Sequence, residues 1–329
     1  MKDCVSVLVG FSPHRIEVLP WAKRFMEKAD VIILEEPANL NFKRLLEDRF
    51  NIEEYLSGSD FWFPGFVKET IKILKEQFKK GTKIFQVEPY FTFLRKIQQE
   101  EDKSLLNNFT YKKVYEVEHI ATLKLLEYYE ASLSKEFEEV VKAVIEFSKA
   151  DAKRFRLRDL LRAKAVTRLI GSLKSSKNIY IESGTIHVYF KKLLHQMLKG
   201  IAKIRHVYLL EEVLKPLVGK AWVFPPGETL TLRYILKNKP NPEKEKLLAA
   251  RSLIYIKIIP KEELTPTQEE PYPHLKRELL AIKMVNRLSF EDCRRLYKEI
   301  FFIKNYKEAR DFVENYIKTR LGGIDISEV

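Results

Sequence analysis

The chain has 329 residues, of which 45% are hydrophobic and only 11 are glycine, and this composition excludes disordered and fibrous proteins. Its 59 Lys and Arg against 46 Asp and Glu give a net charge of +13, which permits attraction to nucleic acid, anionic lipid or acidic substrates. The two cysteines lack the spacing of a disulfide framework or a CxxC zinc site.

The amino-terminal sequence MKDCVSVLVGFSPHR contains an apolar run too short to span a bilayer, and no small-residue cleavage site follows a basic region there. We therefore expect a cytoplasmic protein without a membrane span. Charged residues make up 32% of the chain, and a surface rich in Lys and Glu is typical of hyperthermophiles. No pattern in the sequence indicates an oligomeric state.

The first elements in chain order alternate between strand and helix. Short apolar runs at Val5–Val9 and Val31–Leu34 predict two buried strands, and a helix that begins at Pro20 lies between them. A second helix over Gly65–Lys80 carries apolar residues at helical spacing, and Lys83–Glu88 predicts a third strand. This alternation is typical of a parallel sheet.

The middle of the chain continues the alternation after a helical segment. Strong helix formers without Pro fill 111–173 and predict two or three long helices. A fourth strand at Asn178–Ser183, a helix near Val188 and a fifth strand at Arg205–Leu210 follow. We therefore predict an α/β fold whose central sheet is mainly parallel, with mixed pairing as the alternative, flanked by helices and carrying a helical insert at about 100–175.

The carboxyl-terminal third has a different order of predicted elements. TLTLRYIL, residues 229–236, and Leu253–Ile259 each predict a strand, whereas Leu275–Leu321 predicts helices. This pattern favours an α/β core over residues 1–215 and an α+β extension over 216–329, with both packed as one compound domain as the alternative.

Polar residues follow four of the predicted strands. His14 comes after the first, Glu35 and Glu36 after the second, Glu88 ends the third and His187 follows the fourth. The carboxyl ends of parallel strands line one edge of a sheet, so we expect these side chains to converge. Imidazole and carboxylate ligands suit a divalent transition metal such as Mn, Co or Zn, which would activate water for hydrolysis with a spare Glu as base.

Structural roles are the alternative for each of these residues. A histidine after a strand is often a hydrogen-bonded structural residue, and the Glu35–Glu36 pair or Glu88 can cap the helix that follows. GxSxG, HExxH, P-loop and GxGxxG motifs are absent from the sequence, which excludes the commonest hydrolase and nucleotide-binding sites.

The order of four short motifs carries a resemblance to a known superfamily. The chain reads VLVGFSPHR, then ADVIILEEP (Ala29–Pro37), RAKAVTRLI (Arg162–Ile170) and YIESGTIHVYF (Tyr180–Phe190). Over roughly residues 5–210 it resembles the TraB/PrgY and Tiki superfamily, which is related to erythromycin esterase and ChaN-like proteins.

The resemblance implies a function and site residues. His14, Glu35 and His187 would be the metal positions, Glu35 or Glu88 would complete the site or activate water, and Arg162 would anchor an anion or carboxylate. It implies a metal-dependent hydrolase, and Tiki-like members cleave peptide bonds, so the expected substrate is a small molecule or a peptide.

Two other functions stay open at this point. ChaN-like relatives bind haem, so a non-enzymatic ligand-binding protein for haem or another anionic ligand is one alternative. The aromatic residues that could form the apolar floor of such a site are Phe61, Trp62, Phe63, Tyr90 and Phe91.

The other alternative is nucleic-acid binding. Lys153–Lys177 concentrates positive charge that could follow a phosphate backbone. Apolar residues at helical spacing in the same segment favour amphipathic packing instead.

Overall fold

The computed structural model describes residues 5–58, 63–99, 103–134, 136–173, 177–238 and 240–322. Two compact units divide the chain. Within the described residues, the first comprises the chain up to Tyr115 together with Arg156–Trp222, and the second comprises Glu116–Phe155 and the chain from Val223 onward. No helix in these ranges combines the length and apolar character needed to cross a bilayer.

The first unit contains a five-stranded sheet in which every pair of neighbouring strands is parallel. The prediction of an α/β fold is therefore confirmed, and each of the five strands predicted for the core is present. The strand order is β3-β2-β4-β1-β5. The strands are β1 (Val5–Ser12), β2 (Val31–Leu34), β3 (Lys83–Gln86), β4 (Asn178–Gly184) and β5 (Ala202–Tyr208).

Helices of the first unit connect the parallel strands, as crossover connections require. They are α1 (Leu19–Met26), α2 (Phe42–Leu46), α3 (Ile52–Ser57), α4 (Pro64–Lys79), α5 (Pro89–Gln99), the start of α6 (Phe109–Ser134), the second half of α7 (Phe137–Ser172), α8 (Val188–Met197) and α9 (Glu211–Val218).

One face of the sheet buries a continuous apolar cluster against two of these helices. Val7, Val9 and Ile181 from the central strands pack with residues of α7 and α8, including Val166 and Phe190. The strands β1, β2 and β4 read as apolar runs because the central strands of a parallel sheet are covered on both faces. Because the strands are parallel, their carboxyl ends lie along one edge of this packed sheet.

The second unit is helical throughout its described part. Helix α11 packs against four other helices of this unit, and their apolar residues form one core. The helices of this unit are the remaining parts of α6 and α7 together with α10 (Pro226–Ile235), α11 (Pro242–Ile258), α12 (Pro273–Arg287), α13 (Phe290–Ile300) and α14 (Tyr306–Arg320).

The two strands predicted in the carboxyl-terminal third are wrong. Residues 229–236 lie mainly in α10, and Leu253–Ile259 lies in and just after α11. Both helices have a proline in the first turn, and the Asn241 side chain accepts a hydrogen bond from the Lys244 backbone at 2.8 Å at the start of α11. Because four helices pack against α11, its apolar run is buried on several sides and resembled a buried strand.

Candidate functional site

Polar side chains meet where strands β2, β3 and β4 end, at what we call the carboxyl edge of the sheet. Glu35 follows β2, Glu88 follows β3 and His187 follows β4. Since all strands are parallel, these ends lie on the same side of the sheet. The predicted convergence is therefore present for these three residues.

Glu35 is the centre of this group, with a side chain only 2% exposed. Its Oε1 accepts from Arg158 Nη2 at 2.5 Å and lies 2.8 Å from His187 Nε2. Its Oε2 accepts from Arg162 Nη1 at 3.1 Å and from the Gly184 backbone N–H at 2.7 Å. Both oxygens of this buried carboxylate are thus fully engaged within the protein.

Three cations determine the charge state of Glu35. Burial alone would raise the pKa of its carboxyl group, but His187, Arg162 and Arg158 outweigh burial and hold that pKa well below its ordinary value. Glu35 is therefore ionised at neutral pH and serves as the common counter-ion of two guanidinium groups and one imidazole.

His187 is held between two carboxylates. Its Nε2 faces Glu35, and its Nδ1 contacts Asp159 Oδ1. Burial lowers the pKa of the imidazole, yet the two carboxylates together raise it to about 9. The other oxygen of Asp159 accepts from the Phe190 backbone N–H at 2.9 Å in the first turn of α8. His187 is therefore an imidazolium at neutral pH, with both nitrogens occupied.

The two arginines come from one face of α7. Arg162 is fully buried and also donates to the backbone carbonyls of Val87 at 3.1 Å and Glu182 at 2.6 Å. Arg158 Nε donates to Glu88 Oε2 at 3.0 Å. Arg162 therefore anchors a carboxylate of the protein itself, and the contacts do not support the predicted role as an anchor for a ligand. The buried charge network comprises Glu35, Glu88, Arg158, Asp159, Arg162 and His187.

His14 lies on the other side of this edge. It adopts a positive φ of 52°, and its backbone N–H donates to Ser12 Oγ at 3.0 Å. Its Nε2 is buried without a hydrogen-bond partner among the described residues and lies 3.9 Å from Glu182 Oε1. A Cβ placed on Gly184 would lie 3.6 Å from His14 Cε1 and 3.3 Å from His187 Cδ2. Gly184 is therefore the point where the two histidines approach each other.

A cavity of about 380 Å³ opens beside His14 and Glu182. Burial and the neighbouring Glu182 carboxylate raise the pKa of Glu36 to about 7, although Gln86 opposes this by donating to Glu36 Oε2 at 2.7 Å. No Lys or Arg is among the lining residues, which are Pro13, His14, Glu35, Glu36, Pro37, Phe63, Phe66, Val67, Phe91 and Glu182.

The predicted metal ligands His14, Glu35 and His187 do not fit a divalent cation as arranged here. With a raised pKa, His187 is protonated on both ring nitrogens and then has no lone pair for a metal, and Glu35 is already surrounded by three positive charges. Among the described residues, no group of three His, Cys, Asp or Glu side chains is arranged to hold a metal ion.

Three residues that were not predicted from the sequence are central to the site. Arg158 and Asp159 lie one turn before Arg162 on α7, a spacing that places side chains on one helix face and could have revealed them. The third is Glu182, a charged residue inside an apolar strand. A charge within a buried strand is the signal that points to Glu182.

A curated protein from Archaeoglobus fulgidus, described only as an uncharacterized protein, is 31% identical over 291 residues, which cover 88% of this chain and 97% of the relative. The chain belongs to the family of this archaeal protein. Membership of this archaeal family extends over most of the chain, since the alignment covers 88% of it. No family model matches the chain, and no solved structure matches it.

Proposed function

We propose that the protein is a hydrolase in which His14 and Glu182 activate a water molecule. The observation that carries the proposal is the distance of 3.9 Å between His14 Nε2 and Glu182 Oε1 at the wall of the cavity. This distance is too long for a direct hydrogen bond, and one water molecule that donates to both atoms would bridge it once the buried His14 Nε2 turns toward the cavity.

His14 would act as the general base. Its Nε2 accepts a proton from the water as the oxygen attacks a carbonyl carbon, and the same nitrogen then returns the proton to the leaving group. Glu182 orients the water through Oε1 and stabilises the imidazolium that forms, while its Oε2 accepts from the Glu35 backbone N–H at 3.3 Å.

The buried charge network would hold this pair in place. The Glu35 carboxylate accepts from the Gly184 N–H, and the Glu35 N–H donates to Glu182, so one residue links the ends of β2 and β4. Groups fixed in this way are preorganised and lose little entropy in the reaction. Arg162 and His187 are accordingly positioning residues.

The resemblance to the TraB/PrgY and Tiki superfamily enters this proposal as support for hydrolysis and for a peptide as one substrate class. In this chain the histidines of the two motifs, His14 and His187, lie at the same edge of the sheet, and both approach Gly184. The proposal departs from the resemblance in one respect, since the metal-dependent form requires a donor set that these side chains do not provide.

Neither alternative function is favoured by the contacts. The carboxylates that line the cavity oppose haem or another anionic ligand, and Phe61 and Trp62 lie outside the described residues. In the basic segment, Arg158 and Arg162 are engaged with Glu35 and are not available to a phosphate backbone.

Hydrolysis of p-nitrophenyl esters and amino-acid p-nitroanilides tests the proposal in the presence of a chelator. Asparagine tolerates positive φ, so His14→Asn removes the base with little backbone strain. We expect His14→Asn and Glu182→Gln each to lower kcat by about 10²- to 10⁴-fold. The exposed Glu53→Gln serves as the matched charge control. Undiminished turnover in His14→Asn would contradict the proposal.

A further inference from the structure

We infer that the cavity binds an organic cation, in the form of an ammonium group carried on an apolar body. The inference rests on the proposed hydrolase function and names the substrate class of that same site. It follows from which carboxylates the protein neutralises, which it leaves without a cation, and what the remaining walls of the cavity are made of.

The acidic residues at the carboxyl edge fall into two groups. In the buried charge network, Glu35, Glu88 and Asp159 each contact an arginine or the His187 imidazolium. Glu182 and Glu36 make no ion pair with Lys or Arg among the described residues, although both line the cavity. Glu35 also lines the cavity, but the protein neutralises it from within, so among the described residues the fold supplies internal cations to Glu35, Glu88 and Asp159 and none to Glu182 or Glu36.

Of these two carboxylates, Glu182 has the greater need for a positively charged partner. Its side chain is only 9% exposed, so its negative charge is largely removed from water. One oxygen accepts the backbone N–H of Glu35, but Oε1 has no donor within hydrogen-bond distance in the described part of the chain. A buried carboxylate oxygen that faces a cavity in this way is stabilised by a ligand that brings a positive charge or N–H donors.

Glu36 adds a second negative charge to the same cavity. Its only described side-chain partner is the neutral amide of Gln86, whose Nε2 donates to Oε2 at 2.7 Å. That amide leaves the charge of Glu36 uncompensated. Two carboxylates facing one cavity repel each other, and a cation between them relieves this repulsion.

The remaining walls define the rest of the ligand. Phe63, Phe66 and Phe91 line the cavity together with prolines and Val67. Phenylalanine rings attract cations through their faces and also accept apolar groups. A volume of about 380 Å³ lies in the range of small-molecule sites. An aromatic or aliphatic amine can place its ammonium group against the carboxylates and its apolar body against the phenylalanine rings, whereas a bare metal ion would leave the apolar wall without a contact.

Calorimetric titration of the full chain with 2-phenylethylammonium, and with the neutral 2-phenylethanol as the matched ligand, tests the inference. At about pH 8 we expect the cation to bind at least tenfold more tightly than the alcohol, roughly the effect of one close cation partner. Equal affinities, or no binding of either ligand, would overturn the inference.

Variants separate recognition from catalysis. Glu36→Gln keeps an acceptor for Gln86, and we expect it to weaken binding of the cation about tenfold while affinity for the alcohol changes less than about twofold. Glu53→Gln should change neither affinity. If the wild-type protein is inactive on all esters and anilides but both it and His14→Asn still prefer the cation, hydrolysis is refuted and the inference about the ligand stands. Hydrolysis without cation preference would refute the inference alone.

Discussion

His187 Nε2 lies 2.8 Å from Glu35 Oε1, and this contact joins the ends of β4 and β2. Asp159 contacts the other ring nitrogen, so His187 lies between two carboxylates, and they raise its pKa. At neutral pH His187 is therefore an imidazolium. The histidine that the sequence motif indicated as a ligand therefore carries a positive charge that holds the site together.

The charge state of His187 can be measured directly. In protein labelled with ¹⁵N-histidine, we expect both ring nitrogens to remain protonated at neutral pH and to titrate with a pKa of about 9. Asp159→Asn should lower that pKa because it removes one carboxylate. Since the folded pKa is raised, the stability due to this group is present below about 6.5 and is lost as pH rises through about 9. A neutral imidazole at pH 7 would contradict the assignment.

Loss of the central carboxylate should be severe. We expect Glu35→Gln to lower the free energy of unfolding by about 3–5 kcal/mol, because it leaves the charges of Arg158, Arg162 and His187 buried without their common partner. Urea denaturation followed by circular dichroism measures this change. Glu53→Gln, which breaks an exposed pair with Lys68, should cost no more than about 1 kcal/mol. Similar costs for the two variants would argue against the network.

Glu36 should destabilise the protein as pH rises. Its folded pKa is raised from 4.5 to about 7, so the folded state binds more protons than the unfolded state between these values, and stability falls across that window. We expect Glu36→Gln to be near neutral at about pH 4.5 and stabilising by about 2 kcal/mol at about pH 8. Calorimetric melting at both pH values tests this, and an equal effect at both would count against it.

Two glycines should respond differently to alanine. A Cβ on Gly10 would lie 2.5 Å from Tyr180 Oη in the buried sheet, so Gly10→Ala should lower the free energy of unfolding by about 1–3 kcal/mol. A Cβ on Gly184 would meet His187 at 3.3 Å and His14 at 3.6 Å. Gly184→Ala should therefore reduce turnover more than stability. Thermal melting and the ester assay distinguish the two variants, and matching profiles would contradict this division of roles.

Chelation should have little effect on the fold. Because Arg162 and Asp159 already engage Glu35 and His187, we expect dialysis against a chelator to leave the melting temperature and the ester hydrolysis rate unchanged. Mass spectrometry of protein purified without a tag gives the metal content. A stoichiometric metal whose removal lowers Tm would restore the metal-dependent form of the proposal.

The five strands of the sheet could be predicted from the sequence because each is a short apolar run beside turn-forming or polar residues. The error in α11 has a physical cause. Leu253, Ile254 and Tyr255 are buried side by side because helices cover several sides of α11. An apolar run that is buried on several sides gives no 3.6-residue period, and it then reads as a buried strand.

For the site, the sequence predicted which strand ends meet but not what the side chains do there. His14, Glu35, Glu88 and His187 could be found because they follow strands. The role of His187 could not, since it depends on Asp159, which lies 28 positions away on another element. Pairing between distant charges depends on tertiary packing, which local patterns do not encode.

The position of β4 also determines when the first unit can fold. β4 lies between β1 and β2, so these two strands are not neighbours and cannot pair with each other, whereas β2 pairs with β3. A ribosome has to synthesise 178–184 before the two halves of the sheet can join. Until then the apolar strands β1 and β2 lack the strand that lies between them. A nascent chain stalled near residue 170 would therefore expose two separate apolar segments to chaperones and proteases.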